Sequence, residues 1–406
     1  MPLCPTAWIS EAADELGEII SPLGPENQEA IVASPSDTAQ VAAVLSFAKK
    51  RKLTVNPAGG GTKQQWGRGG VPQIYLSLAR LNRVIEHPWQ DLTCSVQAGC
   101  IWTNLQRVLA IQGQFVALDP LFPKRATVGG ILAANDSGTL RHRYGSLRDL
   151  VIGMTLVLAD GTIVKAGGKV VKNVAGYDLP KLLTGSLGTL AVITQANFRL
   201  HSLPRYTQVF MVAAPHVLRF QALLNEIRAS HLITQALYVS VSEQQTQLTI
   251  ALDAHPEAHQ DAILRDMIQR EGLVLEEASA DGWAVLREAL FVPEATVLRI
   301  STLPIQVCQF LDYLQRTNQR IDIRSVSLAI GLHWVAMRGS AEKIRELVCE
   351  LRSNRDYRGL TVSVLQAGSG VEIEAFDLPD STLDVMRAIK AQFDADNILN
   401  PGKYFS

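Results

Sequence analysis

The sequence predicts an α+β protein built from more than one domain, and three observations carry that reading. The chain has 406 residues, more than one ordinary hydrophobic core holds, so roughly two or three domains are expected. Its first half alternates short helical and strand-like runs. After "HSLPRY", near Leu203-Pro204, longer strand-like runs alternate with long helical ones.

The elements follow in order. Ser36 or Asp37 can cap "TAQVAAVLSFAKKR", whose apolar residues recur at helical spacing. "LTVNPA" reads as a short strand running into a glycine loop, and "QIYLSL", "RVIEHP" and "TCSVQAG" as further strands. "WTNLQRVLAIQG" reads as a helix stopped by Gly113. The clearest hairpin is "LVIGMTLVLADGTIVKAG", with Asp160-Gly161 supplying its turn. "TLAVITQANFRL" is another strand. Beyond the boundary, "TQVFMVAA", "ALYVSVS" and "QLTIALDA" are strand-like, while "VLRFQALLNEIRAS" and "EAHQDAILRDMIQREG" are helical. That pattern predicts an antiparallel sheet with helices on one face. The chain closes with a helix, "STLDVMRAIKAQFDADN", and a polar tail, "ILNPGKYFS", too short to be a domain. The tail should therefore dock on what the rest has built. The expected segments are 1–203, 204–375 and 376–406.

Composition narrows the function. Apolar residues make up 47% and charged residues 19%, as in a soluble globular protein with much to bury. Lysine plus arginine number 38 against 39 acidic residues, with no basic tract, so the footprint of a nucleic-acid binder is missing. Cys4, Cys94, Cys100, Cys308 and Cys349 form no C-x-x-C pair, which argues against an iron–sulfur cluster or a structural zinc within the chain. Sparse cysteines suit a reducing cytoplasm. No signal-peptide pattern opens the chain, and no run of 18 apolar residues would span a membrane.

Three segments carry chemistry. The first is "NPAGGGTKQQWG", Asn56 to Gly67. Glycine runs cost backbone entropy and admit close approach, so a hinge, an ordinary turn and a phosphate cradle are all open readings. The Walker loop G-x-x-x-x-G-K-[ST] is absent, and G-x-G-x-x-G fails at Gln64, after Gly59 and Gly61. Consecutive glycine amides can still form an anion nest. The second segment, "TVGGILAANDSGTLRHRYGSLRDLVIGMTLVLADG", places Gly129-Gly130 at the start of a helical run, aiming N–H groups at whatever lies over it. The bland alternative is a glycine-tight helix packed on a sheet. The third is "GGKVVKNVAGYDLPKLLTGSLGTLAVITQANFRL".

These segments, in this order, resemble the FAD-binding domain of the vanillyl-alcohol-oxidase or PCMH-type flavoproteins. Within that group "KNVAGYDLPKLLTGSLGTLAVIT" and "VGGILAANDSGTLRHRYGSLRDLVIG" look most like the FAD-binding E subunit of glycolate oxidase (glycolate dehydrogenase), and "FDADNILNPGK" is similar to the family's C-terminus. The resemblance implies a two-part PCMH-type FAD-binding domain with an α+β cap domain of antiparallel sheet. It implies FAD held at Pro57, Ala58, Gly59, Gly60, Gly61, Thr62 and Lys63, whose amides would take the pyrophosphate. Thr127, Val128, Gly129, Gly130, Asn135, Ser137 and Gly138 would line the flavin and ribityl side, with Arg143 and Gly145 nearby. Gly188, Val192 and Ile193 would face the cofactor, and Asn400 and Lys403 would close over the flavin.

Departures from the family pattern shape the functional expectation. Covalent members often carry a histidine in the first glycine loop; Gly59 to Lys63 has none, so FAD should be noncovalent. Cys100 is read as a small residue opening a helix rather than a thiol tether. The family's catalytic D subunit carries a histidine-rich H-x-G-D-G-N-x-H metal motif, and none of the eight histidines here has that arrangement. His255 and His259 read as a solvated helix start around Pro256, His333 as a satisfied core histidine, and His142 as part of a basic turn. The resemblance implies oxidation of a small 2-hydroxy acid, glycolate to glyoxylate first, in a complex with a D subunit and an iron–sulfur F subunit. A cytoplasmic location follows, at the inner face of the membrane if the partners reach it. One alternative is an autonomous dehydrogenase of D-lactate or another 2-hydroxy acid, with Arg141, Arg143, Lys172 or Arg338 holding the carboxylate. Another is an accessory, non-catalytic scaffold.

Overall fold

The helix Thr38–Arg51 forms where the sequence places it because Asp37 accepts a hydrogen bond from the Gln40 amide (2.8 Å), satisfying one of the free donors at the helix start. It ends at Lys52, in the left-handed conformation. Its buried Val41, Val44, Leu45, Phe47 and Ala48 pack on a four-stranded mixed sheet ordered Ile20–Pro22, Ile31–Ala33, Ile74–Ser77, Val55–Ala58. The computed structural model describes residues 7–23, 30–67, 69–168, 177–242, 245–253, 255, 258–278, 282–317, 321–357 and 359–404.

A five-stranded antiparallel sheet follows, ordered Val84–Glu86, Thr93–Gln97, Val192–Arg199, Val151–Val157, Ile163–Gly167. Its hairpin turns where the Asp160-Gly161 pair predicts. Asp160 Oδ1 accepts from the Thr162 amide (2.8 Å), and Gly161 takes φ +87°. Trp102–Ala110 and Val128–Ala134 bury Trp102, Leu105, Ile131 and Leu132 against this sheet.

Chain contacts gather Met1–Ser137, Ser146–Leu203 and Leu378–Ser406 into one compact unit, and Gly138–Gly145 with Pro204–Asp377 into another. The stretch 138–145, read from sequence as part of the first segment, thus groups with the second unit. Its side chains show why: His142 Nε2 hydrogen bonds Thr234 Oγ1 (2.7 Å), and Arg143 pairs with Asp253 (3.2 Å).

The second unit is an eight-stranded antiparallel sheet ordered Val274–Ala278, Thr207–Ala214, Thr246–Asp253, Thr234–Val241, Asp322–Leu328, Leu332–Arg338, Thr296–Ser301, Thr361–Gln366. Helices Gln221–Ala229, Gln260–Arg270, Val307–Thr317 and Ala341–Ser353 share one apolar core with Phe210, Leu237, Ile250 and Val335 of the strands. The expectation of helices on one face needs a correction. Trp334, next to the core residue Val335 on its strand, points to the opposite face, because successive strand residues alternate. There it meets Trp283 of the short helix Gly282–Glu288 edge-on (5.7 Å), and the guanidinium of buried Arg287 lies 4.8 Å from its ring.

Candidate functional site

The first unit contains a cleft lined by both polar and apolar residues. Three pieces of chain converge on it. One is the glycine loop, Pro57 to Lys63, continuing through Gln64 and Trp66. The second is the helix start at Thr127, Gly129 and Gly130. The third is Leu187, Gly188, Ala191, Val192 and Ile193, with Asn400 and Lys403 from the C-terminal tail.

The tail reaches the cleft by extending the sheet edge. Val55 donates to the Ile398 carbonyl (2.8 Å), and Asn400 donates to the Val55 carbonyl (2.9 Å). Lys390 anchors it from the helix Asp380–Phe393, donating to the carbonyls of Thr189 (2.8 Å) and Leu399 (2.9 Å) and to the Asp394 carboxylate. Asp394 in turn accepts from the Ile398 (2.9 Å) and Leu399 (2.7 Å) amides. Asn400 Nδ2 donates to the Leu187 carbonyl (2.8 Å), tying the tail to the "GSLG" turn.

The glycines of the loop have two different causes. A Cβ on Gly59 would sit 1.9 Å from Thr127 Oγ1, and one on Gly60 would sit 1.8 Å from the Arg125 carbonyl oxygen. Those two glycines admit a neighbouring loop of the protein. Gly61 has open space and φ +69°, a conformation that glycine takes at little cost. The helix at Val128 bears out the expectation only in part. Two of its first amides are already spent, Val128 donating to Cys100 O (3.0 Å) and Gly129 to Ala98 O (2.7 Å), while Gly130 donates to no backbone carbonyl among the described residues. A Cβ on Gly129 would sit 2.8 Å from the Ala98 Cβ, so that glycine serves close packing of helix on strand.

Polar capacity is left over in the cleft. The amides of Gly59, Gly60 and Gly61 donate to no backbone carbonyl among the described residues. Thr127 Oγ1 and Asn400 Oδ1 are buried without a hydrogen-bond partner. Buried polar groups are normally satisfied, so these fit a ligand that presents hydrogen-bonding atoms along the cleft. Lys63 and Lys403 are the cations of its lining. Lys63 Nζ pairs with Asp136 (3.1 Å), both side chains buried, and donates to the Leu121 carbonyl (3.2 Å). Lys403 donates to the Gln64 and Trp66 carbonyls, and burial holds its ammonium below the usual lysine range.

Of the residues expected from the sequence, Pro57, Ala58, Gly59, Gly60, Gly61, Thr62, Lys63, Thr127, Gly129, Gly130, Gly188, Val192, Ile193, Asn400 and Lys403 come together here. Val128 faces the core instead, and Asn135 caps its helix at φ +47° with its side chain against Gly185. Ser137 is buried outside the lining, and Gly138, Arg143 and Gly145 belong to the second unit. Arg141 and Arg338 also fall there, and Lys172 lies outside the described residues. The sequence reading stopped one residue short of Gln64 and Trp66, which sat in the same quoted stretch. It also passed over Leu78, Ala133, Ala134, Leu187 and Ala191, small or apolar residues without a chemical signature.

The remaining candidates resolve as structural. His333 is fully buried between Thr302 Oγ1 (2.9 Å) and Ser327 Oγ (2.8 Å), and burial pushes its imidazole down to about 3. His255 packs edge-on against Tyr206 (5.3 Å), and His259 stands exposed just before the helix Gln260–Arg270 with no side-chain capping bond; Pro256 lies outside the described residues. Cys100 is buried, absent from the cleft lining, and its thiol is pushed up by desolvation. No group of three or more His, Cys, Asp or Glu among the described residues could hold a metal ion. The stretch Gln366 to Ile373, "QAGSGVEI", has the glycine spacing of H-x-G-D-G-N-x-H, but Gln366, Ser369, Val371 and Ile373 stand where that motif has His, Asp, Asn and His. Gln366 Nε2 instead donates to the Val292 (2.6 Å) and Ala295 (3.0 Å) carbonyls.

The fold is that of PCMH-type flavoproteins. Residues 30–167, which hold the glycine loop and the Thr127 segment of the cleft, match the FAD binding domain family, and residues 377–404, which hold Asn400 and Lys403, match the C-terminal domain of FAD linked oxidases. The chain is an FAD-dependent oxidoreductase. It is 27% identical to glycolate oxidase subunit GlcD of Bacillus subtilis (strain 168), over 92% of this chain and 88% of that one. It is also 27% identical to a D-lactate dehydrogenase of Archaeoglobus fulgidus, over 96% and 94% respectively. The fold is shared with xylooligosaccharide oxidase from Myceliophthora thermophila C1 (TM-score 0.73, 16% identity, 98% and 99% coverage). Alkyldihydroxyacetonephosphate synthase shares it too (TM-score 0.69, 18% identity, 91% and 75% coverage). No helix among the described residues is long and apolar enough to cross a membrane.

Proposed function

We propose that the chain is the FAD-binding subunit of a 2-hydroxy-acid dehydrogenase complex, with glycolate as first substrate and electrons leaving through FAD to partner subunits. The observation that carries this is the cleft itself, where two glycine-bearing loops and the C-terminal tail meet with unspent amides and orphaned polar atoms. Noncovalent FAD is the cofactor, and when bound it supplies the electron acceptor for oxidation of the hydroxy acid. The chain's own part is binding and orientation. The Gly59–Gly61 loop offers amides, Thr127 and Asn400 offer hydrogen bonds, and Val192 and Ile193 offer an apolar wall.

Relatives named as a glycolate oxidase subunit and D-lactate dehydrogenases support the substrate class. The replaced histidine motif around Gln366 supports a division of labour, with a partner of D-subunit type as the principal site of substrate oxidation and an iron–sulfur partner as the exit for electrons. The same proposal puts the complex in the cytoplasm, or at the inner face of the membrane where its partners reach it. Anaerobic visible absorption of the FAD-loaded chain, before and after glycolate or D-lactate, tests this. A flavin band that stays oxidised until the partner is added is the expected result. Bleaching by substrate with this chain alone would make it an autonomous dehydrogenase.

A further inference from the structure

The cleft is lined by two lysines, and their charges are in different states. Lys63 is neutralised by the buried Asp136 carboxylate at 3.1 Å, so it joins the glycine loop to the segment behind it. Lys403 is 5% exposed, and among the described residues its partners are two backbone carbonyls, of Gln64 and Trp66. A buried ammonium beside carbonyls alone keeps most of its charge uncompensated, which is costly unless an anion joins it. Gln64 and Trp66 follow directly on the glycine loop, so the charge sits at the end of a row of unspent amides.

We propose that Lys403 supplies the counter-charge for the phosphate-bearing part of the cofactor, so that the C-terminal tail selects a phosphorylated flavin over the bare ring. This rests on the flavin reading of the cleft. Lys63 cannot serve in that role without giving up Asp136. Asn400, three residues earlier on the same tail, holds the "GSLG" turn through the Leu187 carbonyl, so the tail that brings the charge also fixes the opposite wall. The lowered basicity of Lys403 agrees with a cation waiting for an anionic partner.

The test compares the affinities of the apoprotein for FAD and for riboflavin, which has the ring and ribityl chain without phosphate, by quenching of flavin fluorescence. Three variants are used: K403M removes charge and donor, K403Q keeps an amide donor without charge, and K403R keeps charge. K403M and K403Q are expected to lose at least tenfold in FAD affinity with riboflavin affinity changed less than twofold, while K403R keeps the preference for FAD. Equal loss of both flavins in K403M, or full rescue of FAD binding by K403Q, would overturn the proposal and make Lys403 a clamp on the loop. If K403M fails to fold, judged by circular dichroism of the apoprotein, K403Q and K403R decide between the same outcomes. A wild-type chain that binds neither flavin overturns the reading of the cleft itself and this inference with it; one that binds both equally overturns this inference alone.

Discussion

Gly60→Ala is the sharpest perturbation of the cleft. The added methyl carbon would lie 1.8 Å from the Arg125 carbonyl oxygen and 2.8 Å from its carbon, both backbone atoms. Ordinary carbon–oxygen contacts begin near 3.3 Å, so the two loops must separate by about 1.5 Å, and overpacking of that kind typically costs about 1–3 kcal/mol. The same displacement moves Gly59 and Gly61 away from Thr127, another residue of the lining. FAD affinity should fall about a hundredfold, the equivalent of ~2.7 kcal/mol, because misplaced amides no longer converge on the ligand. Gly70→Ala is the control, since nothing lies within 4 Å of its added carbon. Fluorescence titration of the two apoproteins with FAD, beside their thermal melts, gives the answer. A Gly60→Ala protein with wild-type affinity and melting temperature would refute the argument that this glycine is required by loop packing.

Other perturbations bear on different parts of the account. Asp136→Asn leaves the buried Lys63 ammonium without its carboxylate; removing one partner of a buried pair costs about 3–5 kcal/mol, which calorimetry should record as a melting temperature roughly 10 °C lower. His333 stays neutral when folded but takes a proton when unfolded below about pH 6.5, so its contribution to stability is lost as pH falls from there toward its folded value of about 3. Between pH 7 and pH 5 this is about 2 kcal/mol, and urea unfolding of His333→Gln should show a flatter pH dependence than wild type over that range. Cys100→Ala should retain flavin as wild type does, and acid-denatured wild type should release its flavin into the supernatant. Flavin that stays with the precipitate would contradict noncovalent binding.

Much of the first unit was legible because its signals are local. Asp37, Asp160-Gly161 and Gly113 act within a few residues of where they stand, through a cap, a turn and a left-handed stop. The glycine loops were legible as features, but their cause was not. Gly59 and Gly60 are required by Thr127 and Arg125, more than sixty residues away, and no local pattern shows which neighbour fills the space beside a glycine. The same limit hid Lys390 and Asp394, whose importance comes from carbonyls and amides that only the folded tail presents. Arg143 shows what a motif leaves out. It sits in a flavin-like motif, yet Asp253 holds it in the other unit. Trp283 and Arg287 gave no signal of lying on the sheet face opposite the long helices, because a helix of seven residues has too few turns to show a face by periodicity.

The central claim is that the glycine loop, the Thr127 segment and the tail hold one FAD. The measurement that tests it most directly is titration of the purified, flavin-free chain with FAD, followed by gel filtration and a visible spectrum. A flavin band that travels with the protein, saturating at one FAD per chain, is the result predicted. A protein that emerges colourless, however much FAD was added, would contradict it.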